Sequence, residues 1–221
     1  CLLSRGLGDV YKRQALLYTD VANAAFFTIF YVPMVPIIIF IFKRNSLHWS
    51  VWPSVILCLI GGYLLTNFYN ATVRLGDTLV ILGALFWSTH IIFTGMIVAK
   101  YNLPLTIGAV QTLIVALFSF LIGSVYEEFI FENILNEIDS ILYAGILSGG
   151  LAFVLQIYAQ KNIMPAPAAI IFSLEGVFAT VAAWFLLNQI LGINNLLGCL
   201  LILSGVLFSQ LVPLIKRTSQ R

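Results

Sequence analysis

Two titratable side chains stand deep inside long apolar stretches of this chain: Glu175 in IIFSLEGVFA and His90 in LFWSTHIIF. An ionised carboxylate at the centre of a bilayer costs about 2.5 kcal/mol or more, so Glu175 must face a bundle interior, carry a proton or find a partner. It lies about nine residues into its run, hence about 13 Å from the run's end, near the midplane of a core about 30 Å thick. A carboxyl there could exchange protons or bind a solute, and packing by a protonated carboxyl is the competing explanation. His90 could bind or relay a proton, although a lone imidazole more often only packs. Gln111 and Gln156 could line a polar cavity, each supplying donors and an acceptor to an uncharged or zwitterionic solute. Trp87 and Trp184 could wall that cavity or face lipid. Pro33 and Pro36 each remove a backbone donor, leaving carbonyls that must find partners in protein or in a water-filled site. Broken helices of this kind are helix-break candidates at a transport site; a tolerated kink explains them equally well.

These residues need elements to hold them, and the composition says what kind. Of 221 residues 61% are hydrophobic and 9% charged, with a net charge of +2. A water-soluble fold lacks the polar surface it needs at those values, and so does a disordered chain. Seven continuous apolar runs follow one another: 21–42, 51–65, 77–98, 105–125, 141–160, 166–187 and 191–214. Continuous rather than alternating hydrophobicity predicts helices and not barrel strands. Cytoplasmic placement of the loop after the first run puts Lys43, Arg44, Lys100, Lys161, Lys216, Arg217 and Arg221 inside and Arg74 outside. That asymmetry obeys the positive-inside rule and predicts a cytoplasmic C-terminus. The acidic segment with Glu127, Glu128, Glu132, Glu137 and Asp139 then lies outside, where Ile130, Phe131, Ile134, Leu135 and Ile138 recur at helical spacing and predict an amphipathic surface helix. Gly145 and Gly149 form a GxxxG that predicts close helix approach. Cys58 and Cys199 read as small packing residues.

Cys1 to Gln14, CLLSRGLGDVYKRQ, has no coherent period and no signal-peptide core, and its DVYKRQ end resembles a translated adaptor. Residues 1–14 are therefore read as a non-native scar. From Ala22 to Gly61 the chain aligns with Ala166 to Gly205 at an offset of 144, with identities at Ala22/Ala166, Ala24/Ala168, Ala25/Ala169, Leu47/Leu191, Leu57/Leu201, Leu59/Leu203 and Gly61/Gly205. The first and sixth runs are five spans apart, an odd number, so the paired segments cross in opposite directions. Such an inverted repeat points to alternating access at the repeat interface.

ALLYTDVANAAF (15–26), GDTLVILGALFWSTHIIF (76–93), LAFVLQIYAQ (151–160) and AAIIFSLEGVFA (168–179) occur in an order that resembles the EamA-like branch of the bacterial drug/metabolite transporter superfamily, over Ala15 to about Leu214. The resemblance implies an all-α integral membrane fold, with seven transmembrane helices here of a ten-helix inverted-repeat (5+5) bundle. Residues 15–66 would then end the first repeat, 67–215 form the second, and 216–221 a cytoplasmic tail, with three helices expected upstream. Family members usually close the fourth helix of each repeat with Glu, where this chain has Asn45 and Gln189. They usually have Pro after the Glu of the second repeat, where this chain has Gly176.

The resulting expectation is a secondary-active exporter of small organic metabolites or drugs in the bacterial inner membrane, proton-coupled through Glu175. Glu175, His90, Gln156, Gln111 and Trp87 are its candidate site residues. Expected partners are a small-molecule substrate, the bilayer, protons and a second copy of the chain, with no nucleic acid, cofactor or metal. The alternative is a non-transporting structural or receptor-like seven-helix protein. A retinal protein needs a Lys within the last span, and none precedes Lys216. An intramembrane enzyme has no HExxH, GxSxG or paired intramembrane Asp to anchor it.

Overall fold

The computed structural model describes residues 18–19, 21–43, 47–66, 75–126, 131–188 and 190–218. The expectations placed on residues 1–14, Arg44, Asn45, Arg74, Glu127, Glu128, Ile130, Gln189 and Arg221 lie outside these. Every regular element among the described residues is helical, as apolar runs demand where no water is present to satisfy the backbone. The helices are α1 (Val21–Thr28), α2 (Tyr31–Lys43), α3 (Val51–Leu65), α4 (Leu75–Tyr101), α5 (Pro104–Tyr126), α6 (Phe131–Asn136), α7 (Ile138–Leu142), α8 (Phe153–Gln160), α9 (Pro165–Phe172), α10 (Leu174–Leu187) and α11 (Ile193–Thr218). Tyr143–Ala152, between α7 and α8, is a π-helix.

Among the described residues, six stretches are long and apolar enough to cross a membrane: Ala24–Phe42, Gly76–Tyr101, Pro104–Leu121, Ile138–Gln160, Pro165–Leu186 and Ile193–Ile215. The remaining predicted run forms α3, whose 15 residues reach roughly 22 Å, short of a core about 30 Å thick. The acidic segment is helical where it is described, as α6 and α7, with Glu132, Glu137 and Asp139 exposed.

The first run breaks between α1 and α2, one turn ahead of Pro33. Proline has no N–H for the carbonyl of Ile29, and its ring crowds that carbonyl. The Val32 N–H takes it instead at 2.9 Å, and the Ile29 N–H donates to Phe26 at 3.1 Å. Pro36, also expected to break a helix, sits inside α2 without interrupting it.

The sixth run breaks as well, at Ser173, where no proline is present. The Ser173 N–H donates to the Ile170 carbonyl and the Gly176 N–H to the Ser173 carbonyl, both at 3.2 Å. The Ser173 hydroxyl also donates back to Ile170 at 2.6 Å, the kind of local bond that competes with the helix ladder. The two breaks are related by the sequence offset. Adding 144 to 21–28, the bounds of α1, gives 165–172, the bounds of α9. The same shift carries the Ile29-to-Phe26 bond onto the Ser173-to-Ile170 bond, and the Val32-to-Ile29 bond onto the Gly176-to-Ser173 bond.

The tightest helix crossing obeys the same relation. A Cβ on Gly61 of α3 would meet the Gly198 carbonyl oxygen and Ile202 of α11 at 2.7 Å; one on Gly205 would meet the Ser54 oxygen at 2.9 Å and the Cys58 sulfur at 3.0 Å. Ser54 and Cys58 become Gly198 and Ile202 on adding 144, so the contact set maps onto itself. Rising numbers on α3 meet falling numbers on α11, so the two run antiparallel. The expected close approach at the GxxxG does not form: Gly145 has nothing within 4 Å, and a Cβ on Gly149 or Gly150 would meet only the carbonyls of Ala144 or Gly145 in its own helix. Wound as a π-helix, that segment presents its glycines to open space.

Around this crossing a core gathers from Tyr31, Val32, Val35 and Ile39 of α2, Val55 and Cys58 of α3, Ile91 and Ile92 of α4, Ala169 and Ile170 of α9, and Ile202 of α11. The α4 helix starts near a buried acid: Asp77 is 1% exposed and accepts a hydrogen bond from Thr19, at the helix end where a carboxylate is favoured.

Candidate functional site

Both helix breaks border one cavity of about 720 Å³, within the range of small-molecule sites. Thr28 and Tyr31 flank it from the first break, Phe172 and Glu175 from the second; Trp87 enters from α4, Ser148 from the π-helix and Gln156 from α8. A shift of 144 takes Thr28 to Phe172 and Tyr31 to Glu175, so the two breaks present matched positions to the same space. Gly83, Gly149 and Ala152 keep other parts of the wall low.

Glu175 is the one carboxylate among the described lining residues. It occupies the first turn of α10, where the positive end of the helix dipole favours a negative charge. Its side chain is exposed to the cavity rather than buried, so a proton or a solute can reach it without unpacking the bundle.

Of the other predicted residues, Trp87 and Gln156 join Glu175 in the wall, while His90 and Gln111 stand behind it. His90 is fully buried, its ring 5.3 Å from Trp87 and 5.7 Å from Phe153, two side chains that do line the cavity. Its Nε2 is 3.4 Å from the Thr94 hydroxyl, and the Gln111 amide donates to that same hydroxyl at 3.4 Å. Gln111, expected to offer its amide to a solute, therefore ties α5 to α4. Trp184 is 55% exposed on the outer face of α10 and takes no part.

Tyr31 and Ser148 were absent from the sequence-derived candidates. The offset of 144 could have found Tyr31, as the repeat partner of Glu175. Ser148 carries no such signal, since its place follows from the π-helix, a form often met at functional sites.

Residues 74–211 match the model of the EamA-like transporter family. The chain belongs to the EamA-like transporter family. This EamA-like chain is 28% identical, over 208 residues, to an uncharacterized transporter of Archaeoglobus fulgidus, the match covering 93% of the chain and 65% of that relative. It is also 28% identical over 137 residues to the uncharacterized transporter YoaV of Bacillus subtilis, covering 59% of the chain and 45% of the relative. The EamA-like chain thus spans less than two thirds of the length of either relative. A solved crystal structure at 16% identity has the same fold, with a TM-score of 0.80 over 94% of this chain and 75% of that one. The family and the apolar helices together make this a multi-pass membrane protein.

Proposed function

We propose that the protein is a secondary-active exporter of small organic metabolites or drugs, working by alternating access, with Glu175 as its proton-coupling carboxylate. The observation that carries this reading is the single cavity into which two helix breaks, 144 residues apart, present Tyr31 and Glu175. Irregular backbone within a membrane is tolerated where it lines such a cavity, and repeats of opposite direction can rock about it. The antiparallel α3/α11 crossing, which maps onto itself under the same offset, supplies a pivot. The division into residues 15–66 and 67–215 as parts of two repeats belongs to this reading, as do an inner-membrane location and a cytoplasmic C-terminus. A second copy of the chain would find apolar surface on the flank of α5, where the crossing stretch is only 11% buried.

Counterflow in proteoliposomes, run with a panel of small radiolabelled metabolites, tests the reading. At least one solute should exchange, and an imposed pH gradient should drive its net flux. Glu175→Gln should remove the response to the gradient. Flux of that solute unchanged by the substitution and by pH overturns the coupling role, and no counterflow for any member overturns transport.

A further inference from the structure

Three flat rings meet where α4 and α8 border the Glu175 cavity. The Trp87 and His90 centroids are 5.3 Å apart with planes at 31°, and those of His90 and Phe153 are 5.7 Å apart at 45°. Trp87 and Phe153 close the triangle at 5.9 Å and 75°. All three separations fall in the range at which rings pack favourably. Trp87 and His90 stand three residues apart on α4 and so share one face of it, while Phe153 is the first residue of α8.

The three differ in what they meet. Trp87 and Phe153 are half-buried and line the cavity, whereas His90 is fully buried and stands behind both. Neighbours of the two rings in that wall, Gly83, Ala84, Gly149 and Ala152, are small, so the rings project beyond them. What limits their retreat is the imidazole. The π-helix that leads into Phe153 has no buried residue, and the ring contacts of Phe153 anchor its end. An imidazole suits this place because it offers flat faces to the rings and a polar edge to the protein: Nε2 is 3.4 Å from the Thr94 hydroxyl, one turn further along α4.

We infer that His90 is a positioning residue of the solute cavity. From behind the wall its ring holds Trp87 and Phe153 forward, and so sets how closely a solute is gripped between them and the Glu175 side. The flat ring carries this effect, not the contact with Thr94. His90→Gln keeps a hydrogen-bonding group for Thr94 and discards the ring; His90→Phe keeps a ring and discards the group. The pair therefore separates support of the wall from a merely structural hydrogen bond. The inference rests on the transport reading for its purpose, and its first test needs no transport.

Of the four tryptophans, Trp49, Trp52 and Trp184 are exposed and lie outside the cavity lining. With those three replaced by Phe, time-resolved fluorescence anisotropy in lipid nanodiscs reports on Trp87 alone. A side chain without support changes rotamer within picoseconds to nanoseconds. Trp87 should show no such fast component with His90 or with His90→Phe, and should acquire one with His90→Gln. Val98→Ala, a fully buried change about 16 Å further along α4, should leave Trp87 still, which excludes general loosening as the cause. For the solute that counterflow identifies, His90→Gln should raise the half-saturation concentration about twofold to tenfold, the worth of an aromatic pair, at an unchanged maximal rate. His90→Phe should alter neither. A mobile Trp87 in the chain that retains His90, equal mobility in His90→Gln and Val98→Ala, loosening by Phe but not by Gln, or an unchanged half-saturation in a folded His90→Gln overturns the proposal. Where His90→Gln does not fold, His90→Leu, which also lacks a flat ring, takes its place with the same outcomes. Counterflow with Trp87 equally still in every variant removes the positioning role and leaves transport, whereas a freed Trp87 without counterflow of any solute does the reverse.

Discussion

Replacing Gly61 by Ala places a methyl group 2.7 Å from the Gly198 carbonyl oxygen and from Ile202, about 0.7 Å short of the 3.4 Å at which ordinary contact begins. One obstacle is backbone, so a rotamer change cannot relieve it and α3 must move away from α11. Overpacking of this kind costs about 1–3 kcal/mol. The helical gain of Gly→Ala, about 0.5–1 kcal/mol, offsets part of that, for a net loss of about 1–2 kcal/mol. Lipid tails are as apolar as the helix surface, so no hydrophobic force compensates for the lost packing. Gly205→Ala, facing Ser54 and Cys58 at 2.9 and 3.0 Å, should cost slightly less. The double variant should cost less than the sum, because one separation of the helices relieves both clashes. Gly176→Ala, with nothing within 4 Å, should stabilise by about 0.5–1 kcal/mol. Unfolding midpoints in mixed micelles titrated with SDS, followed by circular dichroism, measure all four. Midpoints that shift in the same direction for Gly61→Ala and Gly176→Ala would refute the close crossing, and a fully additive double variant would refute the shared-separation argument.

Tyr31→Phe keeps the ring that packs in the core and removes the hydroxyl at the cavity; counterflow of the carried solute should fall about twofold to tenfold, the worth of one hydrogen bond, with the unfolding midpoint little changed. Gln111→Leu should destabilise by about 1–3 kcal/mol in the same unfolding assay, because it strips a partner from the buried Thr94 hydroxyl. Solute affinity should survive that change, since Gln111 stands behind the cavity wall; a large loss of affinity at unchanged stability would return Gln111 to the binding site.

The repeat illustrates how a weak sequence signal acquires meaning. Seven identities at an offset of 144 lie within apolar sequence, where chance matches are common. The same offset relates two helix breaks, two pairs of backbone hydrogen bonds and both faces of one crossing. Pro33 marked the first break in the sequence. Nothing marked the second, because Val177 stands where the first copy has Pro33, and a serine bonding back to its own turn leaves no punctuation. Glu175 and Gln156 were legible as candidates because a charge or an amide in an apolar run is costly wherever it lies; both line the cavity, as does Trp87. His90 and Gln111 looked alike in sequence, and both stand behind the cavity wall, where Gln111 ties α5 to α4.

The amino-acid sequence alone determined the solvent, the helical class and nearly all the span positions, because transfer into a bilayer is a local property summed residue by residue. Which side of each helix meets the bundle was decided only in three dimensions. A helix that is apolar all round has no face that its sequence prefers to bury. The α3/α11 crossing, the π-helical wall and the partnership of Tyr31 with Glu175 are all consequences of packing, and packing between apolar helices follows from the fit of their surfaces.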